Sequence, residues 1–283
     1  MKVFVTGAGG QVGHEVCARF DAAPQHEVVA ADHGELDVGD RDTVMQAITA
    51  AQPDVIVHCA AWTAVDACES DPDRAFRVNA LGTRNVVEAG DRVGAHVMCL
   101  STDYVFDGEK PEPYVEWDRP NPQSVYGQSK LGGDVEARLG GATIVRISWV
   151  CGEHGSNMVK TILRLAAEHE TLTFVDDQRG HPTFADDLAT MIYRLVVDRR
   201  PGTFHVTNQG PVSWFEFAGA VLAAAGLDAT RVKPIATVDL KPARPAPRPT
   251  NSVLDNAALR LGGIDLLPDF HEPLTRLVRT LTA

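Results

Sequence analysis

Three features that mark other classes of protein are missing from this sequence. It has no Cys-x-x-Cys pair, and its five cysteines are odd in number and scattered, which favours reduced thiols over a disulfide framework or a zinc site. No apolar run approaches the roughly 20 residues that span a bilayer, and the first residues do not resemble a signal peptide. We therefore expect a globular, cytoplasmic protein with no membrane partner.

Positive charge is also scarce. The chain has 26 lysines and arginines against 38 aspartates and glutamates, which gives a formal net charge of −12. Without a basic stripe the protein cannot displace counterions from a polyanion, so the sequence predicts no nucleic-acid partner. An anionic small ligand remains compatible with this charge, because helix N-termini and single arginines can bind it locally.

The order of apolar segments predicts an α/β fold. The chain of 283 residues is 44% hydrophobic and can bury a substantial core. Strands alternate with helices as far as about residue 150, and the rhythm then loosens. We predict a Rossmann-type, doubly wound parallel sheet over residues 1–150 and a smaller C-terminal α/β substrate-binding lobe over 151–283, with later returns of the chain to the first domain allowed.

A glycine-rich turn follows the first predicted strand. Gly7, Gly10 and Gly13 stand between that strand and a helical pattern, which is typical of a turn that holds a dinucleotide pyrophosphate at a helix N-terminus. Asp32 ends the second strand, about 20 residues further on, where an acid commonly binds ribose hydroxyls. Its carboxylate would repel the 2′-phosphate of NADPH and so favours NADH, although a protonated His33 would weaken that preference.

Tyr126 and Lys130 are about one helical turn apart in a predicted helix, so both can reach one ligand. An ammonium group beside a phenol stabilises the phenolate, so the pair can serve as a general acid near neutral pH. Thr102 ends the fourth strand, within reach of the same substrate oxygen. The spacing Tyr-x-x-x-Lys also arises by chance, and the pair alone fits an ordinary helix face equally well.

Two segments allow more than one interpretation. The proline-rich stretch 241–251 is typical of a solvated linker, but its Lys241, Arg244 and Arg248 also supply cations suited to a diphosphate. A long helical pattern that ends near Val93 carries Asn79, which we expect to be a buried polar group that ties strands together.

Eight segments together carry a family resemblance. They are TGAGGQVG (6–13), ELDVGD (35–40), AAWTAVDACE (60–69), STDYVFDG (101–108), YGQSKLGGD (126–134), RISWVCG (146–152), DQRGHPT (177–183) and RPTNSVLD (248–255). Through them essentially the whole chain resembles the dTDP-4-dehydrorhamnose reductases, extended members of the short-chain dehydrogenase/reductase superfamily. A generic member of that superfamily would share only the glycine turn and the Tyr/Lys pair.

The resemblance implies NAD(P)H-dependent reduction of the 4-keto group of dTDP-4-dehydro-6-deoxy-L-mannose to dTDP-L-rhamnose. Tyr126 would protonate the oxygen at C4, Lys130 would hold the ribose hydroxyls and lower the pKa of Tyr126, and Thr102 would hydrogen-bond the same oxygen. By motif, the cofactor would be lined by Gly7, Gly10, Gln11, Val12, Asp32, Asp37, Ala61, Thr63, Tyr126 and Lys130. The sugar would be bordered by Thr102, Asp103, Val65, Asp66 and Trp149, with Arg248 near the diphosphate.

A few positions depart from the family pattern. His33 stands where many relatives have arginine, which leaves the choice between NADPH and NADH open. Some relatives bind Mg²⁺ and dimerise around it. Glu15 and Asp186 would supply two carboxylates for such a site here, but the third position is Thr280, a poor ligand for a hard cation. We therefore expect a monomer or a weak homodimer rather than a metal-bridged dimer, while Mg²⁺ as a cofactor stays an open alternative.

Two alternatives share the same fold. A sugar-nucleotide 4,6-dehydratase or 4-epimerase is the first, but a dehydratase typically has glutamate after the aspartate, where this chain has Tyr104. A non-catalytic regulatory subunit that binds a dinucleotide is the second. Such a subunit has no need of Thr102, Tyr126 and Lys130 together, so the complete set favours an enzyme.

Overall fold

The computed structural model describes residues 1–282, which form a layered α/β protein. The strands are β1 (Lys2–Thr6), β2 (Glu27–Ala31), β3 (Val55–His58), β4 (His96–Thr102), β5 (Thr143–Ile147), β6 (Val150–Cys151), β7 (Leu172–Val175), β8 (Arg179–Gly180), β9 (Thr183–Phe184), β10 (Gly202–His205), β11 (Val212–Ser213) and β12 (Val232–Ile235). The helices are α1 (Gln11–Asp21), α2 (Arg41–Ala51), α3 (Val65–Ser70), α4 (Pro72–Phe76), α5 (Gly82–Val93), α6 (Val125–Leu139), α7 (Met158–Glu168), α8 (Ala185–Val197), α9 (Trp214–Ala224), α10 (Ala257–Leu261) and α11 (His271–Thr282).

The central sheet has six parallel strands in the order β10-β5-β4-β3-β1-β2. Successive side chains of a strand point to opposite faces, so each strand serves both layers of helices. Val3 and Val5 pack in a core shared with α1 and α8, whereas Phe4 packs in the core formed with α2 and α5. This arrangement confirms the predicted Rossmann-type, doubly wound sheet.

The strand order reverses between β1 and β3, which pair through Thr6 and His58 at their carboxyl ends. Ligands of open parallel sheets bind beyond these ends, at the point of reversal. Thr102 is the last residue of β4 and pairs with Ile147 of β5, so it lies at the same carboxyl-terminal side of the sheet. The fold therefore brings the glycine turn and Thr102 to one side of the molecule.

The second half of the chain contributes to both parts of the protein. Helices α7, α9 and α11 pack around Phe217 and Phe270 in a separate core, with β7 and β12 paired beside them. Between these elements, α8 packs against α1, and β10 extends the central sheet by pairing with β5. Residues 185–205 thus return to the central sheet. The alternation of strands and helices therefore continues in part after residue 150 instead of ending there.

The helical pattern before Val93 is not one continuous helix. Helices α4 and α5 are separated by a π-helical turn, Arg77–Leu81, which carries Asn79. A π-helical turn inserts one extra residue and re-aims a side chain, and such turns are frequent at functional sites. None of the helices within residues 1–282 is both long enough and apolar enough to cross a membrane.

Candidate active site

Two adjoining cavities form one cleft beyond the carboxyl ends of the central strands. They share Gly7, Gly10, Cys59 and Ala61, so the cleft is continuous across the glycine turn. The predicted cofactor residues all line it: Gly7, Gly10, Gln11, Val12, Asp32, Asp37, Ala61, Thr63, Tyr126 and Lys130. Among the predicted substrate residues, Val65, Thr102, Asp103 and Trp149 line the second cavity.

The glycine turn is shaped by close backbone contacts that exclude side chains. Gly7 has a φ of +65°, and a Cβ there would lie 2.7 Å from the amide nitrogen of Ala60. A Cβ on Gly13 would lie 2.2 Å from the carbonyl oxygen of Gly7, so only glycine lets α1 start against the turn. Gly10 is the N-cap of α1 and provides no capping side chain. The first amides of the helix are therefore suited to bind a phosphate.

The first cavity contains Asp32, predicted to contact the adenosine ribose, and Asp37, predicted to line the cofactor. Asp32 follows β2 directly, and its Oδ1 accepts a 2.7 Å hydrogen bond from the amide of Gly34. Asp37 accepts a 2.9 Å hydrogen bond from Arg77, and this bond lowers the pKa of the Asp37 carboxyl. Both side chains are therefore held by neighbouring donors in the first cavity, which Tyr126 does not line.

Arg74 adds a cation to the same cavity. Its guanidinium lies over the ring of Trp62, 4.5 Å from the ring centre, and both residues line the cavity with Asp32. Sequence reasoning missed Arg74, because it lies on a short helix, α4, whose distance from Asp32 is set only by tertiary packing. A phosphate on the ribose would meet this cation as well as the carboxylate.

Tyr126 and Lys130 face the second cavity from helix α6 and are 8% and 6% exposed. The side-chain oxygen of Ser124 caps α6 by accepting a 3.1 Å hydrogen bond from the amide of Gly127, which fixes where the helix begins. The ammonium group of Lys130 donates a 2.8 Å hydrogen bond to the carbonyl of Leu100 in β4. The helix and the strand therefore hold the two side chains in a fixed relation.

Burial controls the protonation of this pair. Burial raises the pKa of Tyr126, and the nearby hydroxyl of Thr102 acts in the opposite direction. Burial also lowers the pKa of Lys130. We expected Lys130 to lower the pKa of Tyr126. In the structure the pKa of Tyr126 is raised instead, because burial removes water from around the phenol.

Asp103 is buried beside Thr102. The hydroxyl of Thr102 donates a 3.0 Å hydrogen bond to Oδ1 of Asp103, while Oδ2 has no partner within residues 1–282. Burial raises the pKa of Asp103 to about 6, and the nearby hydroxyls of Ser252 and Thr102 act in the opposite direction. The Thr102 hydroxyl has one proton, so it can donate to Asp103 or to Tyr126 but not to both.

Asn79 ties the loop that carries Trp62 to helix α6 rather than tying strands together. Its Oδ1 accepts from the amide of Trp62 at 2.8 Å, and its Nδ2 donates to the carbonyl of Trp62 at 3.1 Å. Nδ2 of Asn79 also donates to Oγ of Ser129 at 2.9 Å, and the hydroxyl of Ser129 donates to the main-chain carbonyl of Tyr126. Through these bonds the π-helical turn positions the loop over the cleft relative to Tyr126.

Two stacked indoles form a wall of the second cavity. The rings of Trp149 and Trp214 lie 3.6 Å apart between centres with planes 9° apart, and both line the cavity. Trp149 has a φ of +45°, a conformation that is costly for a bulky side chain. Sequence reasoning missed Trp214. The capping box formed by Ser213 and Glu216 does mark the start of its helix, but not the stacking.

Asp66 and Arg248 contact each other and do not line either cavity. Arg248 donates to both carboxylate oxygens of Asp66, at 2.6 and 2.8 Å, and Arg244 lies 3.7 Å from the same carboxylate. The proline-rich segment is therefore held against α3, instead of being a free linker. The expected contacts of Asp66 with the sugar and of Arg248 with the diphosphate remain predictions.

Two of the three positions considered for Mg²⁺, Asp186 and Thr280, are engaged by Arg276. Glu15, Asp186 and Thr280 line one small surface cavity together with Arg276. Arg276 donates two hydrogen bonds, of 3.0 and 2.7 Å, to Oδ2 of Asp186. The hydroxyl of Thr280 donates to the carbonyl of Arg276 at 3.2 Å. The guanidinium of Arg276 thus engages one carboxylate oxygen of Asp186, a group that a hard cation would need as a ligand.

Comparisons with known proteins agree with this geometry. The family model described as "RmlD substrate binding domain" matches residues 1–283. The spore coat polysaccharide biosynthesis protein SpsK of Bacillus subtilis is 40% identical, over 93% of this chain and 92% of that protein. A dTDP-4-dehydrorhamnose reductase of Sinorhizobium fredii is 41% identical, over 99% and 98%.

A solved structure is also closely similar. The dTDP-4-dehydrorhamnose reductase of Bacillus anthracis, in complex with NADP, has a TM-score of 0.93 and 38% identity, covering 98% of each chain. The whole-chain family match and these relatives lead to one conclusion. This chain belongs to the RmlD family of dTDP-4-dehydrorhamnose reductases.

Proposed function

We propose that this protein reduces the 4-keto group of dTDP-4-dehydro-6-deoxy-L-mannose and so produces dTDP-L-rhamnose, with NADPH or NADH as the reductant. The observation that carries the proposal is the meeting of Thr102, Tyr126 and Lys130 in one cleft with the glycine turn. Family membership supports it, since the relatives named above include reductases of this substrate.

The glycine turn and Lys130 would hold the dinucleotide, which when bound would supply a hydride to C4 of the sugar. As the carbonyl double bond breaks, the oxygen at C4 takes the proton of the Tyr126 hydroxyl, and the phenolate is then reprotonated from solvent. Thr102 donates a hydrogen bond to the same oxygen when its proton is not engaged by Asp103. Lys130 stabilises the phenolate in the transition state and holds the ribose hydroxyls.

Burial of Tyr126 suits this direction of reaction. A proton donor must carry its proton at the start, and burial raises the pKa of Tyr126, so the phenol is neutral at physiological pH. Negative charge on the phenol then develops only in the transition state, where Lys130 and Thr102 can stabilise it. Stabilisation that is limited to the transition state accelerates the chemical step.

The first cavity supports the use of both nicotinamide cofactors. Asp32 accepts hydrogen bonds well but repels a 2′-phosphate, whereas Arg74 in the same cavity attracts one. We propose that the two side chains offset each other, so that NADPH and NADH both bind. The relative solved with NADP bound is consistent with the first of these.

The side chains around Glu15 support a proposal about the oligomeric state of the protein. Since Arg276 holds Asp186, we propose that the protein needs no Mg²⁺ for activity and exists as a monomer or a weak homodimer. Sedimentation with and without Mg²⁺ tests this, and a dimer that forms only with Mg²⁺ would contradict it.

The reaction itself is tested with purified protein, NADPH or NADH, and the keto-sugar nucleotide. We expect loss of nicotinamide absorbance matched by formation of dTDP-L-rhamnose. Binding of the dinucleotide without any loss of absorbance would favour a regulatory subunit instead. A 4,6-dehydratase would act on a dTDP-hexose without net consumption of the reductant.

A further inference from the structure

Two histidines and a glutamate meet at the start of helix α1, outside the catalytic cleft. His14 and Glu15 are consecutive on α1, and His154 lies in the loop 152–157 that follows β6. One nitrogen or oxygen atom from each of these three side chains lies within 4.8 Å of the others. The two imidazole rings are 3.5 Å apart between centres, and Nε2 of His154 is 3.8 Å from Oε1 of Glu15.

Within residues 1–282 the rings of His14 and His154 form no hydrogen bond, and their aromatic and ionic contacts are with each other and with Glu15. Among the described residues, the only ionic contact of His154 is the one with Glu15, and His14 contacts His154 through its ring. Two other carboxylates, Glu153 and Asp186, lie close enough to act on Glu15 electrostatically, and Arg276 neutralises the second of these. The cluster therefore combines nitrogen donors with an excess of negative charge.

We propose that His14, Glu15 and His154 bind one divalent transition-metal ion of the zinc class. Zinc binds imidazole nitrogen and carboxylate oxygen at about 2.0–2.2 Å, so neighbouring ligand atoms in a tetrahedral site lie about 3.4 Å apart. Atoms already within 4.8 Å reach that spacing by small side-chain rotations that separate the two rings. Water fills the fourth position. Imidazole ligands select Zn²⁺, Co²⁺ or Ni²⁺ over Mg²⁺.

The site lies where it can act on the cleft. The loop 152–157 also holds Gln11, since Nε2 of Gln11 donates to the carbonyl of Ser156 at 3.1 Å and Nδ2 of Asn157 donates to Oε1 of Gln11 at 3.0 Å. Gln11 lines the cavity beside the glycine turn. A metal ion that bridges α1 and this loop would fix Gln11 in place. We therefore expect the ion to tighten dinucleotide binding, a consequence that rests on the proposed function, whereas metal binding itself does not.

The test uses the full chain with any affinity tag removed and bound metal stripped by chelation. Titration calorimetry with Zn²⁺ should give one ion per chain, and Co²⁺ should give the visible absorption bands of a tetrahedral site. At free Zn²⁺ about 100 times its Kd the melting temperature should rise by about 5 °C, and the same concentration of Mg²⁺ should leave it unchanged.

Single variants assign the ligands. His14→Gln and His154→Gln should each weaken Zn²⁺ binding at least tenfold and remove the Co²⁺ bands, while melting like the wild type in chelator. His169→Gln, at an exposed histidine elsewhere on the surface, should bind Zn²⁺ as the wild type does. Binding that survives both ligand variants, or Mg²⁺ binding equal to that of Zn²⁺, would overturn the site. An NADPH Kd that is the same with and without Zn²⁺ would overturn the coupling alone.

Discussion

The ammonium group of Lys130 donates a 2.8 Å hydrogen bond to the main-chain carbonyl of Leu100, and this bond joins helix α6 to strand β4 directly below the cleft. The bond holds the side chain of Lys130 against the sheet, one turn of helix α6 away from Tyr126. Lys130 therefore has a fixed position from which it can act on both a ribose and a developing phenolate.

Replacing Lys130 should affect binding and chemistry together. Lys130→Met keeps the length of the side chain but removes the charge, so we expect the NADPH Kd to rise about tenfold and turnover to fall about 100-fold. Fluorescence titration and steady-state kinetics measure the two effects. Lys233→Met, at an exposed position on β12, is the matched control. An unchanged Kd and turnover in Lys130→Met would refute the pairing of Lys130 with Tyr126.

Asp103 should give the protein a measurable dependence of stability on pH. Burial raises the pKa of Asp103 to about 6 in the folded state, above the ordinary value of 3.8, so the folded protein binds the proton more tightly than the unfolded chain. The contribution of Asp103 to stability is therefore highest below about pH 4 and falls as the pH rises toward 6. Asp103→Asn removes this dependence.

We expect the free energy of unfolding of Asp103→Asn, relative to wild type, to increase by about 2 kcal/mol between pH 4 and pH 7, with most of the change below pH 6. Urea denaturation across this range measures it, and m-values that match between the two proteins verify that the comparison is valid. A difference that stays constant with pH would mean that Asp103 is ionised in the folded protein throughout.

The stacked indoles should set the affinity for the sugar nucleotide. Trp214 supports Trp149, whose backbone is held at a φ of +45°, so Trp214→Ala should let Trp149 move away from the substrate. We expect the KM for the sugar nucleotide to rise about tenfold, an effect close to the energy of one aromatic pair. The dinucleotide Kd should stay within about twofold.

Two further variants separate positioning from folding. Trp214→Phe retains an aromatic face and should restore most of the affinity. Trp117→Ala, at a tryptophan that is 68% exposed, should change neither constant. A loss of turnover in Trp214→Ala with an unchanged KM would contradict the positioning role.

Arg74 should favour the phosphorylated cofactor. We expect Arg74→Ala to raise the KM for NADPH about tenfold, since one charge-assisted contact to the 2′-phosphate is lost, and to change the KM for NADH less than about twofold. Arg92→Ala, at an exposed arginine of α5, is the control. An equal loss with both cofactors would mean that Arg74 acts only through its stacking on Trp62.

Local sequence patterns were sufficient to predict the parts of the site that depend on neighbouring residues. Gly7, Gly10 and Gly13 are fixed by one strand, one turn and one helix, and Tyr126 and Lys130 by one helical turn. The sheet was predictable for the same reason, because its strands are short apolar runs bounded by turns.

Local sequence patterns could not predict contacts between segments that are distant in the sequence. Trp149 and Trp214 stack although they are distant in the sequence, and Arg74 and Asp32 line one cavity although they lie on different elements. The protonation of Tyr126 was missed for a related reason, since burial depends on the whole fold and not on its neighbour Lys130.

The central claim is that the Tyr126 hydroxyl gives its proton to the oxygen at C4, and turnover of Tyr126→Phe tests it most directly. The substitution keeps the ring in its buried site and removes only the proton donor. We expect turnover to fall at least about 100-fold while the NADPH Kd stays within about threefold. Turnover close to that of the wild type would contradict the account.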